Sequence, residues 1–387
     1  MGMMDDNEPE HVVALDCLSG AQVEVTFEQG RLKEIVPTSK DGGSIMIAPG
    51  LVDIHINGVN GVDFNNPTLT VAQMIEATEF LLSTGVTTYV PTVITNSDDT
   101  ICTLVKTIAE ACASSRLVNE CVWGIHLEGP FLSPVPGAKG AHEEKFIKAP
   151  AIALIDKYQE AAGGKIKLIT IAPEWEGSPE FIRHCVAMGI IVSIGHSMAT
   201  AKDIQAAIDA GATMATHLGN AVPLTMPRHP NILWDLLAAD ELAACIIADG
   251  LHIPDSFIKV VMKNKGASTL LVSDATCFAG MPPGEYTNHI GGEVILDKEK
   301  RVSLKSTPGL LAGAAMTLRE NVEVVVKHKL GTIAEAWKMA SVNVLQFITK
   351  TRNTIGNKND FVIFEWKDDQ VQVQKVIKNG MLVVRNQ

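Results

Sequence analysis

The chain has 387 residues, of which 46% are hydrophobic and 20% are charged, and its formal net charge at pH 7 is −12. This length and composition predict a globular protein with a large core, and the acidic excess argues against a nucleic-acid partner, because a phosphate backbone requires a basic surface. The acidic N-terminus lacks a signal-peptide pattern, and no apolar run approaches the roughly 20 residues that span a bilayer, so we expect a cytoplasmic protein without a membrane partner.

The two ends of the chain share one sequence pattern. Residues 11–48 and 358–387 alternate apolar and polar side chains in short bursts that are separated by turn residues, a pattern typical of strands joined by hairpins. We therefore assign residues 1–50 and 355–387 to a single small β-domain and residues 51–354 to a second domain.

The middle of the chain repeats a strand followed by a helical pattern. Apolar runs that are too short for helices begin near residues 51, 86, 121, 167, 190, 213, 244 and 270. Eight such units predict an α/β fold, a (β/α)8 TIM barrel. The segment 275–308 follows the last strand and is rich in Gly and Pro, so we expect a lid or substrate loop there.

Polar side chains follow several of these strands. His196 and His217 come after the runs 190–194 and 212–215, and Glu128 ends the third strand. Functional residues of a β/α barrel lie at the carboxyl ends of its strands, so these three side chains are expected to meet at one mouth. A glutamate with two histidines is a hydrolytic ligand set for zinc that leaves a position open for water. The pattern therefore favours a metal-dependent hydrolase.

Further polar residues occupy the first and last strand ends. Asp274 is the carboxylate left over from the ligand set, and such a group can take a proton from an attacking water and pass it to a leaving group. His55 and Asn57 alternate, so both are expected to face the barrel axis. Other interpretations stay open at this level: Asp274 as a cap of the following segment, His55 as a packing residue under the β-domain, and His196 and His217 as satisfied core histidines.

A series of motifs links these positions to a known family. The motifs are APGLVDIHINGVNGVDFN, GVTTYVPT, HLEGPFLSP with KGAH, IGHS, ATHLGNA, IADGLH, VSDAT and LAGAAMTL. In order and spacing, from about residue 48 to 345, they resemble the N-acetylglucosamine-6-phosphate deacetylases of the amidohydrolase superfamily. The resemblance implies a metal-dependent TIM-barrel hydrolase with a β-sandwich domain built from both chain ends. It also implies a homodimer that releases acetate and glucosamine 6-phosphate in amino-sugar catabolism.

The resemblance also implies roles for single residues. Glu128, His196 and His217 would bind the principal divalent metal, for which zinc is the first expectation and iron, manganese or cobalt are alternatives. Asp274 would be the general base and acid, and His142 would hydrogen-bond near the substrate carbonyl.

A second group of residues would hold the substrate. These are Asn220, the backbone at Ala221, His252 and Leu311, together with Arg228, which would reach the phosphate from the neighbouring subunit. Arg forks onto phosphate oxygens, which agrees with this role. The alternative is that Arg228 is a solvated loop charge.

Two departures from the family pattern affect these expectations. The pair His55-x-Asn57 shares its histidine with the His-x-His of two-metal amidohydrolases and its asparagine with the Gln-x-Asn of one-metal deacetylases. We therefore expect one tightly bound metal per chain and at most a weaker second site at His55. Gly219 and Val222 replace part of the family's usual THL[FY]NAM wall, which leaves N-acetylgalactosamine 6-phosphate or an unphosphorylated N-acetyl sugar as rival substrates. A catalytically inactive barrel that acts as a binding protein is the rival from another class, and the retained ligand set argues against it.

Overall fold

A computed structural model of the protein describes residues 9–288, 292–306, 311–350 and 359–385. The strands are β1 (Glu10–Asp16), β2 (Gln22–Glu28), β3 (Arg31–Pro37), β4 (Ile45–Pro49), β5 (Leu51–Ile56), β6 (Gly58–Val59), β7 (Val62–Asp63), β8 (Val86–Ile94), β9 (Ile125–Glu128), β10 (Ile166–Ile171), β11 (Ile191–Ile194), β12 (Met214–Ala215), β13 (Ala243–Ile246), β14 (Thr269–Leu271), β15 (Gly284–Asn288), β16 (Gly292–Leu296), β17 (Arg301–Leu304), β18 (Leu311–Ala314), β19 (Phe361–Lys367), β20 (Gln370–Lys378) and β21 (Met381–Arg385). The helices are α1 (Val71–Ser83), α2 (Asp98–Ser114), α3 (Arg116–Cys121), α4 (Ile152–Ala161), α5 (Ser178–Ala187), α6 (Ala201–Asp209), α7 (Ile232–Ala238), α8 (Asp255–Lys265), α9 (Leu318–Lys327), α10 (Ile333–Met339) and α11 (Val342–Lys350).

Eight parallel strands form the predicted TIM barrel, in the order β14-β13-β12-β11-β10-β9-β8-β5. Every residue of β5 and β9 is buried, as expected for parallel strands that are covered on both faces. Threonine capping boxes begin several of the surrounding helices, for example Thr70 with Gln73 at α1 and Thr317 with Glu320 at α9. Within the described ranges, no helix combines the length and apolarity needed to cross a bilayer.

The first and last strands meet at a seam. Beyond the end of β14, the backbone N–H of Asp274 donates to the His55 carbonyl (2.9 Å) and that of Asn57 donates to the Ala275 carbonyl (2.7 Å). Deeper in the barrel, the Ser273 backbone N–H donates to Asp53 Oδ1 at 3.2 Å. Burial raises the pKa of Asp53 to about 6. The seam brings the chain around His55 directly beside Asp274.

The third strand begins later than the sequence pattern predicted. Residues up to Cys121 belong to α3, which starts at the N-cap Ser115, and the strand runs from Ile125 to Glu128. An apolar run that starts in a buried helical turn cannot be distinguished from a strand by composition. The end of the strand, and with it Glu128, is nevertheless where the sequence placed it.

The segment 275–308 is not the loop that its Gly and Pro content suggested. Its described residues contribute β15, β16 and β17 to a four-stranded antiparallel sheet that β18 completes. The sheet is joined to the barrel because the Thr276 backbone N–H donates to the Ala314 carbonyl at 2.9 Å. A core of Phe278, Val294 and Val302 lies beneath it. These strands are four or five residues long, and β15 and β16 begin at glycines, so the sequence shows little apolar–polar alternation.

Both chain ends form one β-domain, as predicted. Its seven strands pair in the order β1-β2-β3-β21-β20-β19-β4. Because β4 also pairs with β1, the sheet of this β-sandwich domain closes into a barrel. Trp337 of α10 anchors it to the barrel by stacking on Phe364 and donating from Nε1 to the Pro49 carbonyl at 2.7 Å. The predicted boundary at residue 50 falls between β4 and β5, whereas the one at residues 354 and 355 lies outside the described residues.

Candidate metal centre and active site

The chain turns sharply where the candidate site residues leave their strands. His196, His217 and Asp274 have φ values of 50°, 28° and 48°, in the left-handed region that non-glycine residues rarely adopt. Such backbone strain persists where the surrounding structure imposes it, and it clusters at functional sites. The turns direct these three side chains into one barrel mouth.

Glu128, His196 and His217 form a compact ligand group. Glu128 Oε1 lies 3.3 Å from the Nε2 atoms of both histidines, which are 3.0 Å from each other. The potential ligand atoms all lie within 4.8 Å of one another, and all three side chains are buried. The sequence placed the same three residues together.

The protonation states of this group suit a divalent cation. Burial opposes ionisation of Glu128, but the neighbouring His55 and His196 hold its pKa well below the usual range. Burial lowers the pKa of His217. His196 donates from Nδ1 to the Ala138 carbonyl at 3.0 Å, which leaves the Nε2 lone pair facing Glu128 and His217. Among the described residues Glu128 Oε1 has no hydrogen-bond partner, so the donor set fits a divalent metal ion.

The second oxygen of Glu128 faces two further histidines. Oε2 lies 3.3 Å from His55 Nε2 and 3.7 Å from His142 Nε2. Burial would lower the pKa of His55, but the carboxylates of Asp274 and Glu128 raise it to about 9. Burial lowers the pKa of His142 to about 3, so this imidazole is neutral and has a hydrogen to donate. Glu128 is therefore the carboxylate around which four imidazoles gather.

Asp274 lies beside this cluster and outside the three-residue ligand group. Its Oδ1 is 3.1 Å from His55 Nε2 and accepts a hydrogen bond from Asn57 Nδ2 at 2.7 Å. The side chain is 21% exposed, compared with 4% for Glu128, so Asp274 borders the open part of the mouth. A carboxylate here can exchange protons with a molecule that enters the mouth.

Two of the five predicted substrate-binding residues, Asn220 and Ala221, line a cavity beside His196. One cavity is lined by His196, Asn220 and Ala221 together with Gly219 and Val222. This arrangement puts one predicted metal ligand, His196, and part of the predicted phosphate site on the wall of one cavity.

His252 lies in the segment between β13 and α8. Burial opposes a charge on His252, but its hydrogen bond from Nδ1 to Asp249 Oδ2 at 2.6 Å raises its pKa and so favours the cation, which suits an anionic ligand. Leu311 begins β18 of the four-stranded sheet. Arg228 is exposed, and its carbonyl accepts a hydrogen bond from Asn231 Nδ2, the N-cap residue of α7. Among the described residues, no hydrogen bond or ion pair joins the Arg228 side chain to the predicted metal ligands.

The structure gives a reason for the unusual Gly219. At φ 100°, a β-carbon on Gly219 would come within 2.7 Å of Phe257 Cε1 and 3.0 Å of Ile253 Cγ2. The Phe257 ring of α8 therefore occupies the space that a larger residue at 219 would need.

Sequence patterns missed some supports of the site. Glu174 accepts hydrogen bonds from Ser197 Oγ (2.6 Å) and the Met198 backbone N–H (2.9 Å), which fastens the turn after His196. His126 lies below His55, with ring centroids 4.6 Å apart. The alternation of His126 with Glu128 was a signal that both face the barrel interior, whereas nothing in the local sequence relates Glu174 to His196.

Comparisons with known proteins agree with this architecture. The amidohydrolase family profile matches residues 46–383. The N-acetylglucosamine-6-phosphate deacetylase of Lysinibacillus sphaericus is 30% identical over 94% of each chain, and that of Haemophilus influenzae is 32% identical over 84% of this chain and 82% of its own. The crystal structure of the Thermotoga maritima N-acetylglucosamine-6-phosphate deacetylase has 28% identity and a TM-score of 0.81, with 98% of this chain and 100% of that chain covered. The chain therefore belongs to the amidohydrolase family, where it groups with the N-acetylglucosamine-6-phosphate deacetylases.

Proposed function

We propose that this protein hydrolyses the acetamide bond of N-acetylglucosamine 6-phosphate and releases acetate and glucosamine 6-phosphate. The observation that carries the proposal is that Glu128, His196 and His217 lie close to Asp274 at one barrel mouth. In addition, the relatives of this chain are named for this activity. The reaction belongs to amino-sugar catabolism. The cytoplasmic location expected from the sequence stays a prediction.

The residues divide the chemistry among them. Glu128, His196 and His217 would hold one divalent ion, with zinc as the first expectation. When bound, such an ion supplies a Lewis acid that activates water and polarises an amide carbonyl. Asp274 takes the proton of the attacking water and later delivers it to the departing amine. His142, neutral and buried beside Glu128, donates a hydrogen bond to the carbonyl oxygen.

Binding of the sugar phosphate falls to the rest of the mouth. Asn220, the backbone at Ala221 and Leu311 contact the sugar phosphate. His252, whose pKa the hydrogen bond to Asp249 raises, attracts the phosphate in its protonated form. The exposed Arg228 contributes to the active site of a second copy in a homodimer.

A substrate panel with metal analysis tests the proposal. Acetate release is measured for N-acetylglucosamine 6-phosphate, for its C4 epimer N-acetylgalactosamine 6-phosphate and for unphosphorylated N-acetylglucosamine. We expect the highest kcat/KM for the first. A preference for either other sugar would assign the activity to that rival, and purified protein with neither bound metal nor acetate release would support a binding protein.

Replacing Arg228 by Ala should reduce the preference for the phosphorylated sugar over the plain one. A charge-assisted contact to phosphate acts in the ground state and the transition state alike, so KM should rise more than kcat falls. The plain sugar serves as the internal control, because its kcat/KM should change little. An unchanged preference ratio would contradict the phosphate role, and dilution of a dissociating dimer should mimic the substitution if the arginine comes from the partner.

The purified protein should hold about one metal ion per chain after dialysis. His55 lies between the carboxylates of Glu128 and Asp274, at 3.3 and 3.1 Å, and Asn57 can offer only an amide, which is a far weaker zinc ligand than imidazole. A second ion at His55 should therefore be lost on dialysis. Elemental analysis before and after dialysis measures this, and two retained ions per chain would contradict it.

A further inference from the structure

Two groups lie against one oxygen of the candidate base, and one of them, Asn57, donates a hydrogen bond to it. Asn57 Nδ2 donates to Asp274 Oδ1 at 2.7 Å, and His55 Nε2 lies 3.1 Å from the same atom. A carboxylate attached by a single rotatable bond turns freely unless its oxygens are bound unequally. Because Asn57 and His55 both lie at Oδ1, the hydrogen bond from Asn57 restricts rotation of the carboxylate, and Oδ2 is the oxygen that Asn57 does not hold.

Asn57 is itself held on several sides. Its backbone N–H donates to the Ala275 carbonyl at 2.7 Å, and its carbonyl accepts from the Phe64 N–H at 2.9 Å. A β-carbon on the following Gly58 would meet the Cys277 nitrogen at 2.9 Å, so only glycine permits this close approach of the β6–β7 hairpin to the segment after Asp274. The backbone of Asn57 is therefore fixed against the residues that carry the base.

A second amide orients the first. Asn65, which is 2% exposed, faces Asn57 Oδ1 with its Nδ2 at 3.5 Å. Asn65 is fastened to β8, because its Oδ1 accepts the Ile94 N–H at 2.8 Å and its Nδ2 donates to the Thr92 carbonyl at 3.1 Å. With the carbonyl end of Asn57 facing Asn65, its NH2 end faces Asp274 and has no lone pair to offer a metal ion.

We propose that Asn57 is a positioning residue which holds Asp274 in the orientation for proton transfer, and not a ligand of a second metal. The inference rests on the proposed deacetylase function. In this proposal the hydrogen bonds that link Asn65 to Asn57 and Asn57 to Asp274 keep Oδ2 directed at the reacting molecule. They do so although the backbone at Asp274 is strained.

Asn57→Leu tests the inference, because leucine keeps the approximate shape and removes the donor. We expect kcat to fall roughly 10- to 100-fold, the scale of a misaligned catalytic group, while KM and metal content stay at wild-type values. The double variant Asn57→Leu/Asp274→Asn should be no slower than Asp274→Asn alone, since a residue that acts through Asp274 has nothing left to position.

The matched control is Asn343→Leu. Asn343 Nδ2 donates to the Thr269 carbonyl at the opposite end of the strand that leads to Asp274, so its loss should lower stability without changing kcat.

Wild-type kcat in Asn57→Leu, or metal loss in proportion to lost activity, would overturn the inference. Failure of the proposed function would show differently, as an inactive wild type. A crystal structure of Asn57→Leu decides independently of activity: a turned Asp274 carboxylate is expected, and an unmoved one would overturn the inference.

Discussion

Replacing Asp274 by Asn should lower kcat at least about 100-fold while leaving KM and metal content close to wild type. An amide cannot accept the proton of the attacking water, and positioned acid-base catalysis contributes on this scale. Asp274 touches His55 and Asn57 and stands outside the group formed by Glu128, His196 and His217, so its charge is not needed to hold the ion. Steady-state kinetics with elemental analysis of the same preparation measures both quantities.

The control for this substitution is Asp255→Asn. Asp255 is a carboxylate at the start of α8 that pairs with His328 at 3.0 Å on the surface, so its loss should leave turnover unchanged. Turnover within tenfold of wild type in Asp274→Asn would show that another group is the base. Loss of the metal in that variant would instead make Asp274 a ligand.

The sequence located the site because strand ends in a β/α barrel leave local signals. Apolar runs of strand length, each followed by a polar side chain, were enough to single out Glu128, His196, His217 and Asp274 as residues of one mouth. The structure gathers these four side chains, which follows from the barrel topology and not from any one motif. Their catalytic roles remain predictions.

Contacts between distant strands left no such signal. Asn57 and Asp274 are 217 residues apart, and only closure of the barrel seam decides that the amide faces a carboxylate. Alternation along β5 predicted the face of Asn57 and could not predict its partner. The sequence analysis missed Glu174 for the same reason, because its hydrogen-bond partners Ser197 and Met198 follow another strand.

Local patterns also misled where structure was irregular. The third strand starts at Ile125, whereas the apolar run that predicted it begins at Cys121, the last residue of α3. The sheet that contains β15 and β17 was predicted as a loop because its strands are short and glycines and prolines stand between them or at their starts. Arg228 presents a different limit. Its predicted contact belongs to a second chain, so the sequence suggests it by resemblance and a single chain leaves the side chain exposed.

Glu128→Gln should abolish both metal binding and activity, and so separate the ligand role from the role of Asp274. The carboxylate has His196 and His217 on one oxygen, each at 3.3 Å, and His55 on the other, also at 3.3 Å. An amide replaces one oxygen by a donor and removes the negative charge that compensates a divalent ion among imidazoles. Metal content should fall close to zero, and turnover should fall further than in Asp274→Asn.

Thermal unfolding with and without a chelator measures the loss of metal binding in Glu128→Gln without any substrate. A ligand that binds only the folded state raises the free energy of unfolding, by about 2.7 kcal/mol at 100 times its dissociation constant. Chelation should therefore lower the Tm of the wild type and of Asp274→Asn, which retains the ligand group, and leave that of Glu128→Gln unchanged. A Glu128→Gln protein that still carries one ion per chain and responds to the chelator would remove Glu128 from the metal site, and the four imidazoles around it would then need another explanation.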